Sequence, residues 1–149
     1  MFGKLNREQI DAVLRKQVVG RIGCHADGLT YVVPIGYAYD QNVIYGHTGE
    51  GLKIDIMRKN PKVCFQVDNI VNISNWQSVV VQGAFEEVRD PIERNTALQE
   101  LLGRDLRMIT TQKLELSPDW PFPPDDLDRI EGIVYRIRIH EISGRFERT

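Results

Sequence analysis

Cysteine is scarce in this chain of 149 residues: Cys24 and Cys64 stand far apart, and no CxxC pair occurs. Zinc sites built from thiols need ligands at short spacing, so that kind of metal centre is excluded. Both cysteines lie in apolar runs and read as buried, reduced thiols. His25, His47 and His140 are dispersed without ligand spacing, so no metal site is expected. No apolar run approaches the roughly 20 residues of a membrane span. The opening segment MFGKLNREQID lacks the apolar core of a secretory signal, so a cytoplasmic protein is expected. Dense basic clusters are missing too. Nineteen Lys and Arg face 21 Asp and Glu, a net charge of −2, so nucleic acid is not an expected partner. There is no Walker GxxxxGK[ST] and no GxSxG elbow, which disfavours nucleoside triphosphate hydrolysis and acyl transfer. Repeats and low-complexity segments are absent.

What remains is ordinary globular material. Apolar residues make up 42% and charged residues 27%, enough for one domain spanning 1–149. Asn6 with Gln9 resembles a capping box, and Ile10, Val13 and Leu14 follow at helical spacing, predicting a helix over 6–16. Strands are predicted over Val18–Ala26 and Leu29–Tyr39, joined by an Ala26-Asp27-Gly28 turn. Pro34 cannot donate to a ladder and marks an edge, a bulge or a bend. Asp40-Gln41-Asn42 turns into a strand over Val43–His47. A short helix over 51–59 stops at Asn60-Pro61, before a strand over Lys62–Asp68. Asn69–Asn75 reads as a polar loop. Gln77–Arg89 reads as the longest strand, its Ser78-Val79-Val80-Val81 run suggesting burial on both faces. Asp90-Pro91 opens a helix over 91–102, ended by Gly103. Residues 104–117 read as a short helix with an irregular tail. Ser117–Pro124 holds four of the seven prolines and reads as a rigid loop. Acidic 125–131 reads as a solvated helix or turn. Gly132–Ile142 alternates as a half-buried strand. Long strands joined by tight turns pair antiparallel. In a chain this small they favour a closed or nearly closed barrel. The expected fold is mainly β, a six-stranded antiparallel split β-barrel of Greek-key type with two to four short flanking helices.

Lys53 carries the sharpest functional signal. It is either a solvated helix lysine or part of a phosphate cradle with the Thr48 hydroxyl, Gly49, Gly51 and the helix amides. Glu50 in the same turn would repel a phosphate if it pointed inward, so it is expected to face solvent. Val32-Val33-Pro34-Ile35 offers backbone groups that either water or a flat heterocycle such as a flavin could use. Trp76 is either a barrel cap or a ring contact. Ser78 is a candidate ligand if its strand begins beside the helix start. His47, ending a strand before the glycine turn, is either a local hydrogen-bonder or a functional group. No catalytic acid or base stands out, so any hard chemistry belongs to a cofactor.

GRIGCHADGLTYVVPIGYAYDQNVIYGHTGEGLKIDIMRKNPKVCFQVDNI, followed by WQSVVVQGAFEEV, resembles the pyridoxamine 5′-phosphate oxidase-like split-barrel proteins that bind FMN. The branch it most resembles is the Nim type, linked to 5-nitroimidazole resistance. The resemblance covers about 20–89, and YRIRIHEISGRFE fits as the closing strand. It implies a homodimer with FMN in a cleft between subunits. Val33, Pro34 and Ile35 would lie along the ring. Tyr45, His47 and Thr48 would line the ring and ribityl side, and Lys53 would bind the phosphate. Trp76, Ser78 and Val79 would complete the pocket, partly from the facing strand. The Trp-Gly and arginine-rich substrate motifs of pyridoxamine phosphate oxidase proper are absent, which argues against the vitamin oxidase activity. Some relatives bind haem or a deazaflavin instead. The expected function is electron transfer from a nicotinamide donor to a small, nitroaromatic-type acceptor. The alternative is a flavin- or haem-binding module without turnover, with His47 or His25 as the axial ligand to watch.

Overall fold

A computed structural model describes residues 1–104 and 130–149. The readings for the proline loop and for most of 104–117 and 125–131 lie outside the described residues. Eight strands and three helices run in the order β1 (Phe2–Lys4), α1 (Arg7–Lys16), β2 (Val19–Ala26), β3 (Leu29–Gly36), β4 (Ala38–Asp40), β5 (Val43–Thr48), α2 (Leu52–Lys59), β6 (Lys62–Asn72), β7 (Asn75–Glu87), α3 (Pro91–Leu102) and β8 (Ile133–Glu147). Six of the strands are long. The other two, β1 and β4, have three residues each.

The helices begin where local chemistry starts them. The Asn6 side chain accepts from the Gln9 amide, and Gln9 Oε1 accepts from the Asn6 amide, both at 2.9 Å. A cap of this kind contributes about 1 kcal/mol. Asp90 caps α3 by accepting from Glu93, with Pro91 at the first position. At the Asp27-Gly28 turn both residues have positive φ, 52° and 80°, the two-residue geometry that matches strand twist.

Every ladder is antiparallel, in the order β3-β2-β6-β7-β8-β5-β4, with β1 also on β8. The sheet curls into a barrel without closing. Its two ends, β3 and β4, are separated in the chain by Tyr37 alone. The expected single strand Leu29–Tyr39 therefore breaks at the seam. Tyr37 donates its amide to Val18 O at 3.2 Å and its hydroxyl to Leu14 O at 2.7 Å. Two partners outside the ladder thus draw it from strand pairing. Pro34 lies on the end strand β3, where a missing donor costs nothing.

The Asn69–Asn75 segment is not a loop. β6 runs on to Asn72 and β7 starts at Asn75, with Ile70 opposite Trp76. Ile70 and Val71 are β-branched, and the ladder outweighs the polar neighbours. In β8 the register with β7 slips at Gln82/Gly83, leaving His140 as an extra residue. The bulge shifts the inward face from Tyr135 and Ile137 to Ile142, Gly144 and Phe146. In β7, Val79 and Val81 are fully buried, whereas Ser78 and Val80 are half-buried on the outer face. Burial on both faces is therefore incomplete in a single chain.

Strand glycines make room for rings. Added Cβ atoms would strike the Phe65 ring at Gly20 and the Tyr135 ring at Gly46. The barrel interior packs Leu14, Ile22, Ile44, Phe65, Val67 and Ile137. A second core lies under α3, where Ala97, Leu98 and Leu101 meet Tyr45, Val88 and Val134.

Candidate functional site

The barrel seam opens into a cleft of about 310 Å³ between β3 and the turn leading into α2. Tyr31 and Val33 form one wall. Thr48, Gly49, Glu50, Gly51, Leu52 and Lys53 form the other. Alternation explains the first wall: Tyr31, Val33 and Ile35 share the inward side of β3, while Val32 and Pro34 point out. The second wall is a strand end running straight into a helix start. Gly51 is the N-cap of α2, and no side chain caps this end, unlike α1 and α3. Among the described residues, a Cβ placed on Gly49 or Gly51 would meet nothing within 4 Å. First-turn amides and the helix dipole favour an anion there. Lys53 is half-buried and stands close to Cys24 on β2. Burial pushes the Cys24 thiol up, and the Lys53 ammonium pulls it back.

The ten residues singled out from sequence divide among four places. Val33, Thr48 and Lys53 meet in the cleft. Ile35 and Val79 belong to the interior. Tyr45 lies in the core under α3. His47 shares that side of β5, because residues two apart on a strand face the same way, whereas Ile44, Gly46 and Thr48 take the other side. Pro34, Trp76 and Ser78 lie on the outer face of the sheet. Five cleft-lining residues, Tyr31, Gly49, Glu50, Gly51 and Leu52, were not among the ten, although the glycine turn around Glu50 was weighed as part of a phosphate cradle. Tyr31 stands two positions before Val33, so strand alternation alone could have found it.

His47 Nε2 is 2.6 Å from Glu131 O, and among the described residues Nδ1 has no partner. Gly132, with φ of 96°, packs over the ring, where a Cβ would lie 2.9 Å from Nε2. Burial pushes the His47 imidazole below its ordinary 6.5, helped by the Arg94 charge, although the Glu131 carbonyl opposes the shift. A lowered folded value means that the unfolded chain binds the proton more readily. The stability tied to His47 is therefore present above pH 6.5 and lost as pH falls through the depressed folded value. In a pH series of thermal melts, His47→Asn is expected to flatten the acid side just below pH 6.5. Parallel curves for the two proteins would remove His47 from that account.

On the outer face a second cleft, of about 400 Å³, follows the β6–β7 hairpin. Its floor is a polar network. Gln66 Nε2 donates to Asp68 Oδ2 at 2.9 Å and to Ser78 Oγ at 3.0 Å, and Arg21 donates to Asp68 at 3.2 Å. Trp76 Nε1 donates to Glu147 at 3.0 Å. The rim is apolar and exposed: Ile70 is 64% accessible and Ile73 90%.

No group of three metal-binding side chains occurs among the described residues, and none of their helices is long and apolar enough to cross a membrane. The sequence model of the pyridoxamine 5′-phosphate oxidase family matches residues 6–146. An uncharacterized protein of Rhizobium meliloti is 30% identical over 148 residues, covering 95% of this chain and 92% of its own. Among solved structures, a protein of Mesorhizobium loti described as FAD-binding superposes with a TM-score of 0.75 at 33% identity, covering 99% of both chains. A candidate 5-nitroimidazole antibiotic resistance protein of Bacteroides thetaiotaomicron gives a TM-score of 0.74 at 18% identity, covering 98% of this chain and 87% of its own. That last likeness is one of fold.

Proposed function

Because the chain belongs to the pyridoxamine 5′-phosphate oxidase-like family, we propose that its seam cleft holds the phosphate end of FMN and that the protein is a flavin-dependent oxidoreductase. The observation that carries this reading is the uncapped start of α2, opening beside Thr48 and Lys53 onto the Tyr31–Val33 wall. The donor set fits a phosphate monoester: a hydroxyl, an ammonium and helix amides under two glycines. The FAD-binding description of the Mesorhizobium loti relative supports a flavin, since FMN and FAD share riboflavin 5′-phosphate.

When bound, the flavin supplies hydride and electron transfer between a nicotinamide donor and a small acceptor of nitroaromatic type. The chain's own residues bind and orient. Lys53 would neutralise charge, Thr48 would donate to the phosphate, and Val33 and Tyr31 would keep water from one side. No side chain of the cleft is a poised general acid or base, so none is assigned a catalytic role. The chain acts as a homodimer. A second copy brings its outer-face hairpin, with Trp76 and Ser78, across the cleft and covers Ile70 and Ile73. Two thiols without a disulfide agree with a cytoplasmic setting.

Absorbance of the purified protein titrated with FMN tests the reading. Two flavin bands with saturable uptake, bleached anaerobically by NAD(P)H, are expected. Tight FAD uptake without FMN uptake would shift the cofactor. Bound flavin without bleaching would make the protein a carrier. A Soret band would favour the haem-binding alternative, although His47 Nε2 already engages Glu131 O. A colourless protein that takes up no flavin would sink the proposal.

A further inference from the structure

The turn that opens α2 carries a carboxylate beside the place where an anion is to sit. Glu50 lies between Gly49 and Gly51 and lines the cleft. Its side chain is 67% exposed, yet both oxygens are held. Arg58, at the far end of α2, donates from Nη1 to Oε2 at 2.8 Å and from Nη2 to Oε1 at 3.1 Å. Arg58 is anchored in turn, since its Nε donates to Oε1 of Glu87, the last residue of β7. Glu87 is only 14% exposed, and its other oxygen accepts from Arg89 at 2.9 Å. The guanidinium thus ties the glycine turn to the sheet.

We propose that Arg58 is a positioning residue for this cleft: it holds the Glu50 carboxylate on the flank of α2, away from Lys53 and the first-turn amides, and so sets phosphate affinity without touching the phosphate. The proposal rests on the cleft being the phosphate site. A phosphate monoester carries close to two negative charges near neutral pH, and a mobile carboxylate in the same cleft would repel it. A bidentate guanidinium both cancels that charge and fixes where it points, which an ammonium does less well. The anchor on Glu87 keeps the fork from swinging toward the ligand itself.

The test is a set of fluorescence titrations with FMN and with riboflavin, on the wild-type protein, Arg58→Gln, Glu50→Gln and the double variant. Arg58→Gln is expected to lose about tenfold in FMN affinity, a deficit that shrinks with added salt. Its riboflavin affinity is expected to stay unchanged. The double variant is expected to return to within about twofold of wild type, because removing Glu50 removes the need for Arg58. Arg58→Lys, which keeps the charge and loses the fork, replaces Arg58→Gln if that variant does not fold and is expected to move in the same direction. An Arg58 variant that binds FMN as tightly as wild type overturns the proposal. So does a double variant as weak as Arg58→Gln, which would make Arg58 a direct ligand or a purely structural tether. A wild-type protein with no preference for FMN over riboflavin overturns the phosphate reading and the proposal with it. That result differs from a wild-type preference that Arg58→Gln leaves intact.

Discussion

Phe65→Ala is expected to destabilise the protein by about 3–5 kcal/mol, the usual cost of removing a fully buried aromatic ring. Phe65 is 0% exposed and sits on β6, between β2 and β7 in the ladder. Its ring meets Tyr37 edge-on, with centroids 4.9 Å apart and planes at 70°, and it covers Gly20. Truncation leaves a hole lined by parts that cannot easily close it. One side is strand backbone at a glycine, and another is a tyrosine tied by its hydroxyl to Leu14 O. The same ring packs against Tyr37, which crosses the seam between β3 and β4. Chemical denaturation measures it, with Phe65→Leu as a milder control. A loss below about 1.5 kcal/mol for the alanine variant would mean that the site collapses and that the ring is not the keystone of this end of the barrel.

Lys53→Ala is expected to weaken FMN binding by about 1–3 kcal/mol, the range for loss of a charge-assisted contact. Riboflavin, which lacks the phosphate, is expected to bind both proteins alike, and Lys53→Arg is expected to keep most of the affinity. The argument is positional. Lys53 is the second residue of an eight-residue helix whose start opens into the cleft without a side-chain cap. It is half-buried beside β2 rather than splayed into solvent. Equal FMN affinity for Lys53→Ala and wild type would return Lys53 to the role of an ordinary helix lysine. A loss shared equally by riboflavin would point to damage of the cleft rather than to a phosphate contact.

Local chemistry was legible wherever its cause was local. Asn6 with Gln9, Asp90 with Pro91, and Asp27 with Gly28 each mark a boundary through bonds spanning three residues or fewer, and all three stand where the sequence puts them. Strand alternation placed Tyr135 and Ile137 inward without knowledge of their partners. Errors arose where a distant partner outweighed the neighbours. Asn69–Asn75 looks like a loop by composition but pairs as a hairpin, because each strand of it finds the other. Leu29–Tyr39 looks like one strand but breaks at Tyr37, because Val18 and Leu14 take its polar groups.

The same division holds at the site. The sequence alone determined that Thr48, Gly49, Gly51 and Lys53 gather at one helix start, since contiguity forces it. For Val33 it left open whether Pro34 marks an edge, a bulge or a bend, and the sheet order settled on the edge. Only the tertiary structure decided that Thr48 enters the cleft while Tyr45 and His47 turn toward α3, because a strand has two faces and packing chooses between them. It alone placed Trp76 and Ser78 on the outer face. It alone turned Glu50 onto Arg58, through an anchor on Glu87 that lies 29 positions from Arg58 along the chain. Periodicity and caps act over a few residues, whereas register and ion pairs between elements are settled only when the barrel curls and distant segments compete for the same partner.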